Sequence, residues 1–197
     1  MFIGRERELS KLTTAYNTDK FQMAVIYGRR RVGKTKLITE FVKDKEAIYF
    51  SALEVGEKMN LTNLSRSIMS YEIGRTIGNF SYGSFEECFE ALYDIAREKR
   101  LVFVIDEYPY LAASFKGTSS LLQQYIDLKF KETKLFVILC GSSMSFMENQ
   151  VLGYQSPLYG RRTMQVKINP LDFWESRQFH QNFTDEEKAV IYGDEGM

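Results

Sequence analysis

The sequence predicts an α/β fold on a central parallel sheet, and three patterns carry that expectation. Short apolar runs alternate with longer segments of helical periodicity, as in a parallel sheet covered by helices. Five such runs stand at 22–27, 47–51, 101–105, 135–140 and 164–168. A glycine- and lysine-rich turn, Gly28-Arg29-Arg30-Arg31-Val32-Gly33-Lys34-Thr35, separates the first run from a helical pattern, and the third run ends on two carboxylates, Asp106 and Glu107.

Each element has its own warrant. The first helical pattern, 5–16, sets Leu9, Leu12 and Tyr16 on one side. Residues 22–27 form an apolar strand that feeds the turn, which fits G-x-x-x-x-G-K-[ST]. In such a loop the backbone N–H groups wrap phosphates, and the start of the following helix adds a favourable dipole. Lys34 is expected to place its ammonium on the outer phosphates, and Thr35 its hydroxyl on magnesium. The helix 34–43 follows, with Leu37, Ile38, Phe41 and Val42 at helical spacing. After the strand 47–51, the stretch 54–84 is ambiguous: Leu61, Leu64, Ile68 and Ile73 hint at helix, while Gly74, Gly78, Asn79 and Gly83 interrupt it. Ser84 and Glu87, at capping-box spacing, open a helix 85–98 that buries Phe85, Phe89, Leu92 and Ile95. Residues 120–129 offer Leu121, Leu122, Tyr125, Ile126 and Leu128 as a further helix. Gly141-Ser142-Ser143 then follows the fourth strand. Beyond Pro170-Leu171 the segment 172–179 reads as helix, and Thr184 with Asp185, Glu186 and Glu187 as a capped helix start. The expected division is a core at 1–170 and, at 171–197, the opening of a second, helical subdomain that is cut short.

Ligands of parallel sheets bind at the carboxyl ends of the strands, which sets Asp106 and Glu107 beside the phosphate loop. Asp106 is expected in the magnesium shell. Glu107 is expected to polarise a water against the terminal phosphate, which requires hydrogen-bond reach of that water. Ser142 is the candidate that senses the terminal phosphate, with helix capping as the competing role. Arg161 and Arg162 are candidates for stabilising charge on a transferring phosphoryl group, in cis or from a neighbouring subunit, and a solvated pair is the plainer account. Phe2, Ile3, Gly4 and Arg5 form a short apolar-Gly-Arg segment that could pack against a base. The side chains of Arg29, Arg30 and Arg31 are expected to point outward while their amides face the phosphates. With Val32, Gly33 and Lys36 they complete the candidate nucleotide-binding set. His180, the sole histidine, reads as a surface residue, and Phe173 and Trp174 as core of the second subdomain.

Bulk properties narrow the classes. The 197 residues are 44% apolar and 26% charged, an ordinary globular composition, with 26 basic and 26 acidic side chains. No global charge therefore points to nucleic acid or an anionic membrane. Cys88 and Cys140 lack a metal-type spacing and suit a reducing cytoplasm. The N-terminus is not a signal peptide, and no apolar run reaches the length of a membrane span.

Taken together, FIGRERELSKL, VIYGRRRVGKTKLITEF, VFVIDEYPYL, LFVILCGSSMSFME, SPLYGRRT and INPLDFWE occur in one order. They resemble the archaeal-type ATPase family, an AAA-like group related to the signal-transduction NTPases with numerous domains. The resemblance implies a P-loop NTPase of the additional-strand type with five strands in the order 5-1-4-3-2. It implies ATP or ADP with Mg2+, carried onto Lys34, Thr35, Asp106 and Glu107, and longer members that continue into a helical lid and further C-terminal domains. The expected function is ATP binding and hydrolysis that drives or gates an absent C-terminal domain. A slow nucleotide-gated switch and the ATPase part of a DNA-associated machine are the alternatives. A homo-oligomer and a protein partner are compatible with it, and direct nucleic-acid binding by these residues is not expected.

Overall fold

The computed structural model describes residues 4–172 and Glu175. Five strands, β1 (Gln22–Tyr27), β2 (Ala47–Ser51), β3 (Leu101–Asp106), β4 (Leu135–Gly141) and β5 (Met164–Lys167), form one sheet in the order β2-β3-β4-β1-β5. Every pairing is parallel. This is the expected order, 5-1-4-3-2, viewed from the other edge. The helices are α1 (Glu6–Tyr16), α2 (Lys34–Val42), α3 (Glu57–Ile73), α4 (Phe85–Glu98), α5 (Tyr108–Ser114) and α6 (Thr118–Leu128), with a single turn α7 (Met144–Phe146) running into a π-helical segment, Met147–Val151.

Side-chain parity divides the core into two layers. Met23, Val25, Phe103, Ile105, Val137 and Leu139 point to one face, where Leu64 and Ile68 of α3, Phe89 and Leu92 of α4, Leu111 of α5 and Leu122 and Ile126 of α6 cover them. Ala24, Ile26, Val102, Val104, Phe136 and Ile138 point to the other, against Leu12 of α1 and Leu37, Ile38 and Phe41 of α2. The inner strands β3 and β4 are buried along their whole length, which is why they read as unbroken apolar runs. At the end where the strands begin, the Arg100 guanidinium donates to the carbonyls of Ala15, Lys20 and Lys134 and stacks over the Tyr16 ring at 4.9 Å. One side chain thus ties α1, the approach to β1 and the approach to β4.

Two helices were not legible. The stretch 54–84 contains the seventeen-residue α3, stopped by Gly74 in a left-handed conformation (φ 72°). Its N-terminal turn is held by the fully buried Asn60, which exchanges hydrogen bonds with the backbone of Leu53 and donates to Ser114 Oγ. Directly after the acidic pair lies α5, short and opened by Pro109 in its first turn. The Ser84 cap is present: its Oγ accepts from the Glu87 amide at 3.3 Å, while Glu87 accepts from the Gly83 amide at 2.8 Å. Of the second subdomain expected at 171–197, all but Leu171, Asp172 and Glu175 lies outside the described residues, as do Phe2, Ile3, Phe173, Trp174 and His180.

Candidate nucleotide site

Because all strands are parallel, everything that follows a strand emerges at one edge of the sheet. β4 lies between β1 and β3, so Ser142 emerges between the loop after β1 and the acidic pair after β3. These segments surround a cleft of about 600 Å³ lined by Arg30, Arg31, Gly33, Lys34, Thr35, Lys36, Glu107 and Tyr110. Its size is that of a small-molecule site.

The loop's conformation follows from its glycines. Gly28 has no room for a side chain: a Cβ there would sit 2.2 Å from the Ile168 carbonyl oxygen. Gly33 begins α2 at φ 91°, a left-handed geometry costly for other residues. No side chain caps α2 and no acid lies in its first turn, so its leading amides face the cleft uncompensated. Lys34 is buried, and its ammonium donates to the carbonyls of Gly28 at 3.0 Å and Arg29 at 2.8 Å. Arg29, Arg30 and Arg31 are exposed, as expected, with Arg31 at φ 65°. Arg30 reaches across the mouth of the cleft to the Tyr110 hydroxyl at 2.7 Å.

Asp106, the last residue of β3, is buried, and its carboxylate is almost fully engaged. Oδ2 accepts from Thr35 Oγ1 at 3.0 Å and from the Tyr49 hydroxyl at 2.6 Å, and Oδ1 accepts from the Glu107 amide at 3.0 Å. Burial, then the Asp106 carboxylate, pushes the Tyr49 phenol far above its ordinary pKa, so it remains a donor. Glu107 stands at φ 52°, ψ 46°, a left-handed conformation that costs a residue with a side chain about 1–2 kcal/mol and aims it away from the strand direction. Its Oε2 accepts from both the amide (3.2 Å) and the hydroxyl (3.0 Å) of Ser142. Lys34, Thr35, Asp106, Glu107 and Ser142 are thereby brought together.

Other candidates fall elsewhere. Arg5 is buried at φ 69°; its guanidinium donates to the carbonyls of Val32 and Asn169 and pairs with Glu8 at 3.4 Å. It braces the loop from below, between α1 and the chain leaving β5, while Gly4 packs near Leu171 and Glu175. Arg161 and Arg162 precede β5 and so lie at the opposite edge of the sheet, beyond the full length of that strand from the cleft. Arg161 donates to both Asp127, near the end of α6, and the Pro157 and Tyr159 carbonyls, and Arg162 lies over the Tyr159 ring. Within one chain they do not meet the loop. Tyr49 and Tyr110 were missed by the sequence reading. The register pairs Ser51 with Asp106 and Tyr49 with Val104, which puts Tyr49 on the same face as Asp106, a relation that no local spacing in the sequence signals.

Hard oxygen donors, a hydroxyl and a carboxylate, meet a loop of open amides beside a buried ammonium; that chemistry fits a nucleotide with magnesium. Among the described residues no group of three or more His, Cys, Asp or Glu side chains could hold a metal ion.

The fold and this site define a P-loop ATPase domain. The chain belongs to a family of ATPase domains predominantly from Archaea, whose model matches residues 2–195. It is 39% identical over 193 residues to an uncharacterized protein of Methanocaldococcus jannaschii, covering 98% of this chain and 41% of that one. An uncharacterized ATP-binding protein of the same organism is 46% identical over 46 residues, covering 23% of this chain and 78% of the relative. Among solved structures, a Walker-type ATPase of Pyrococcus abyssi superposes with a TM-score of 0.74 at 22% identity, over 98% of this chain and 63% of that one. The Aeropyrum pernix ORC1 protein, solved in complex with DNA, gives 0.64 at 19% identity, over 97% and 50%. Those two likenesses concern the fold. The chain spans less than half the length of the first archaeal relative.

Proposed function

We propose that this domain binds ATP with magnesium and hydrolyses the β–γ bond, using the cycle to drive or gate a C-terminal domain outside the chain. One observation carries the reading: a continuous hydrogen-bonded line, Thr35–Asp106–Glu107–Ser142, joins the phosphate loop to the ends of β3 and β4. Thr35 spends its proton on Asp106 and keeps both hydroxyl lone pairs for a cation. Thr35 directly, and Asp106 through its remaining lone pair, would hold magnesium, which when bound neutralises phosphate charge. Lys34 exchanges the Gly28 and Arg29 carbonyls for phosphate oxygens. The Glu107 carboxylate orients and deprotonates the attacking water, and Ser142 reports whether the γ-phosphate is present.

A second reading, a slow nucleotide-gated switch, draws on the same bonds. Both Ser142 donors hold Glu107 Oε2, so the carboxylate is tied to the end of β4 and only Oε1 is left to take a proton from water. A third, the ATPase part of a DNA-associated machine, comes only from structural neighbours solved with DNA, and no DNA contact is assigned to these residues. No helix among the described residues is long and apolar enough to cross a membrane. The buried free thiols of Cys88 and Cys140 support a cytoplasmic location.

The test is magnesium-dependent ATP turnover per molecule, with the Glu107→Gln protein alongside and nucleotide binding measured on both. Turnover that disappears in the variant while binding persists supports the enzyme. Turnover by the variant at the wild-type rate sinks the assignment of Glu107. Binding without turnover in the wild type favours the switch.

A further inference from the structure

Asp106 is the acidic partner of Thr35, and a carboxylate that can rotate presents a different lone pair at each angle. An ionised carboxylate has about four acceptor positions. Here the protein fills three: two on Oδ2, from Thr35 and Tyr49, and one on Oδ1, from the Glu107 amide. The fourth position, on Oδ1, takes no N–H or O–H donor from the described residues, although the Cys140 thiol of β4, a weak donor, also lies against this carboxylate. The Tyr49 bond is the shortest of the three, as expected for a hydroxyl donating to a charged oxygen. It is also the only one contributed from outside the loop–α2 unit and the β3 end, because Tyr49 reaches over from the edge strand β2. The half-buried ring packs in the layer between the sheet and α2, which fixes the hydroxyl in place.

We propose that Tyr49 is a positioning residue for the magnesium-binding side of the site, holding Asp106 so that a single lone pair of Oδ1 faces the hydration shell of the cation. This rests on the reading of the cleft as a Mg–ATP site. Without the Tyr49 hydroxyl, the carboxylate regains a free acceptor on Oδ2 and rotates, and a water-mediated contact to the cation is lost or misaimed. A tie that merely joined β2 to β3 would make a different prediction, since nucleotide binding with and without magnesium would then suffer alike.

Equilibrium titration of the chain with a fluorescent ATP analogue, in excess EDTA and across a magnesium series, separates the two. In the Tyr49→Phe protein, which keeps the ring, affinity in EDTA is expected within twofold of wild type. The magnesium concentration for half-maximal tightening is expected to rise about tenfold, the scale of one lost hydrogen bond to a charged group. An unchanged magnesium dependence overturns the proposal, as does an equal loss in both media. An Asp106→Asn background supplies the second check: adding Tyr49→Phe there is expected to change the magnesium requirement no further, and additive losses overturn the idea that Tyr49 acts through Asp106. Wild-type protein that binds the analogue in neither medium removes the nucleotide reading itself, and this inference with it.

Discussion

Three of the four described non-glycine residues with positive φ, Arg5, Arg31 and Glu107, ring the phosphate loop. Such strain persists where surrounding contacts over-determine it. At Glu107 the return is direction: a carboxylate one residue past Asp106 points across the cleft to Ser142 and not along β3. Glu107→Gln is accordingly expected to bind ATP normally while hydrolysis falls by about 10²–10⁴, the usual contribution of a positioned base. Lys34→Ala is expected to remove tight nucleotide binding. Gly28→Ala should do the same for a steric reason, because the atom it would strike, the Ile168 oxygen, is backbone and cannot turn aside. A Gly28→Ala protein that titrates with ATP like wild type would show that the loop and β5 are less tightly packed than described.

At the level of elements, Ser142 at the tip of β4 is the link whose removal discriminates most. With Ser142→Ala the amide still reaches Glu107 and the hydroxyl does not. Single-turnover hydrolysis slower than wild type marks Ser142 as aiding the water; faster hydrolysis marks it as a restraint on Glu107. Far from the cleft, Arg161, then Lys131, holds the Asp127 carboxylate below its ordinary pKa. The sign follows: this clasp stabilises fully above the unfolded carboxylate range and is lost as pH falls through the lowered value. Asp127→Asn should therefore flatten part of the acid-side decline in unfolding free energy, by less than about 1 kcal/mol for so accessible a pair. The same scale explains what the sequence disclosed. β1, β3 and β4 were legible because burial on both faces leaves apolar residues no choice, whereas the edge strands β2 and β5 are buried only at alternate positions. α5 was not, since a seven-residue helix carries barely two turns of pattern. In α3, polar Asn60 and Ser65 are fully buried, so hydrophobic spacing alone understates its core face. The residues of the loop and the acidic pair were readable from local spacing. The roles of Tyr49 and Tyr110 depend on which strands and loops become neighbours, which spacing does not encode.

For the whole molecule, the decisive separation is between the cleft at one edge of the sheet and Arg161 and Arg162 at the other. If either arginine serves catalysis, it serves the cleft of a second copy. Specific ATPase activity should then rise with protein concentration, and Arg162→Ala should lower it only where copies associate. Activity independent of concentration, and indifferent to Arg162→Ala, would leave both arginines to packing. The strand order has a temporal side as well. β1 is made before β4 and β5, yet these are its partners, so Gln22 must wait for Phe136 and Ala24 for Met164. At about 5–20 residues per second of synthesis, the Met23–Tyr27 segment stays unpaired for on the order of ten seconds. The nucleotide loop therefore cannot gain its full set of neighbours until β4 and β5 arrive on either side of β1.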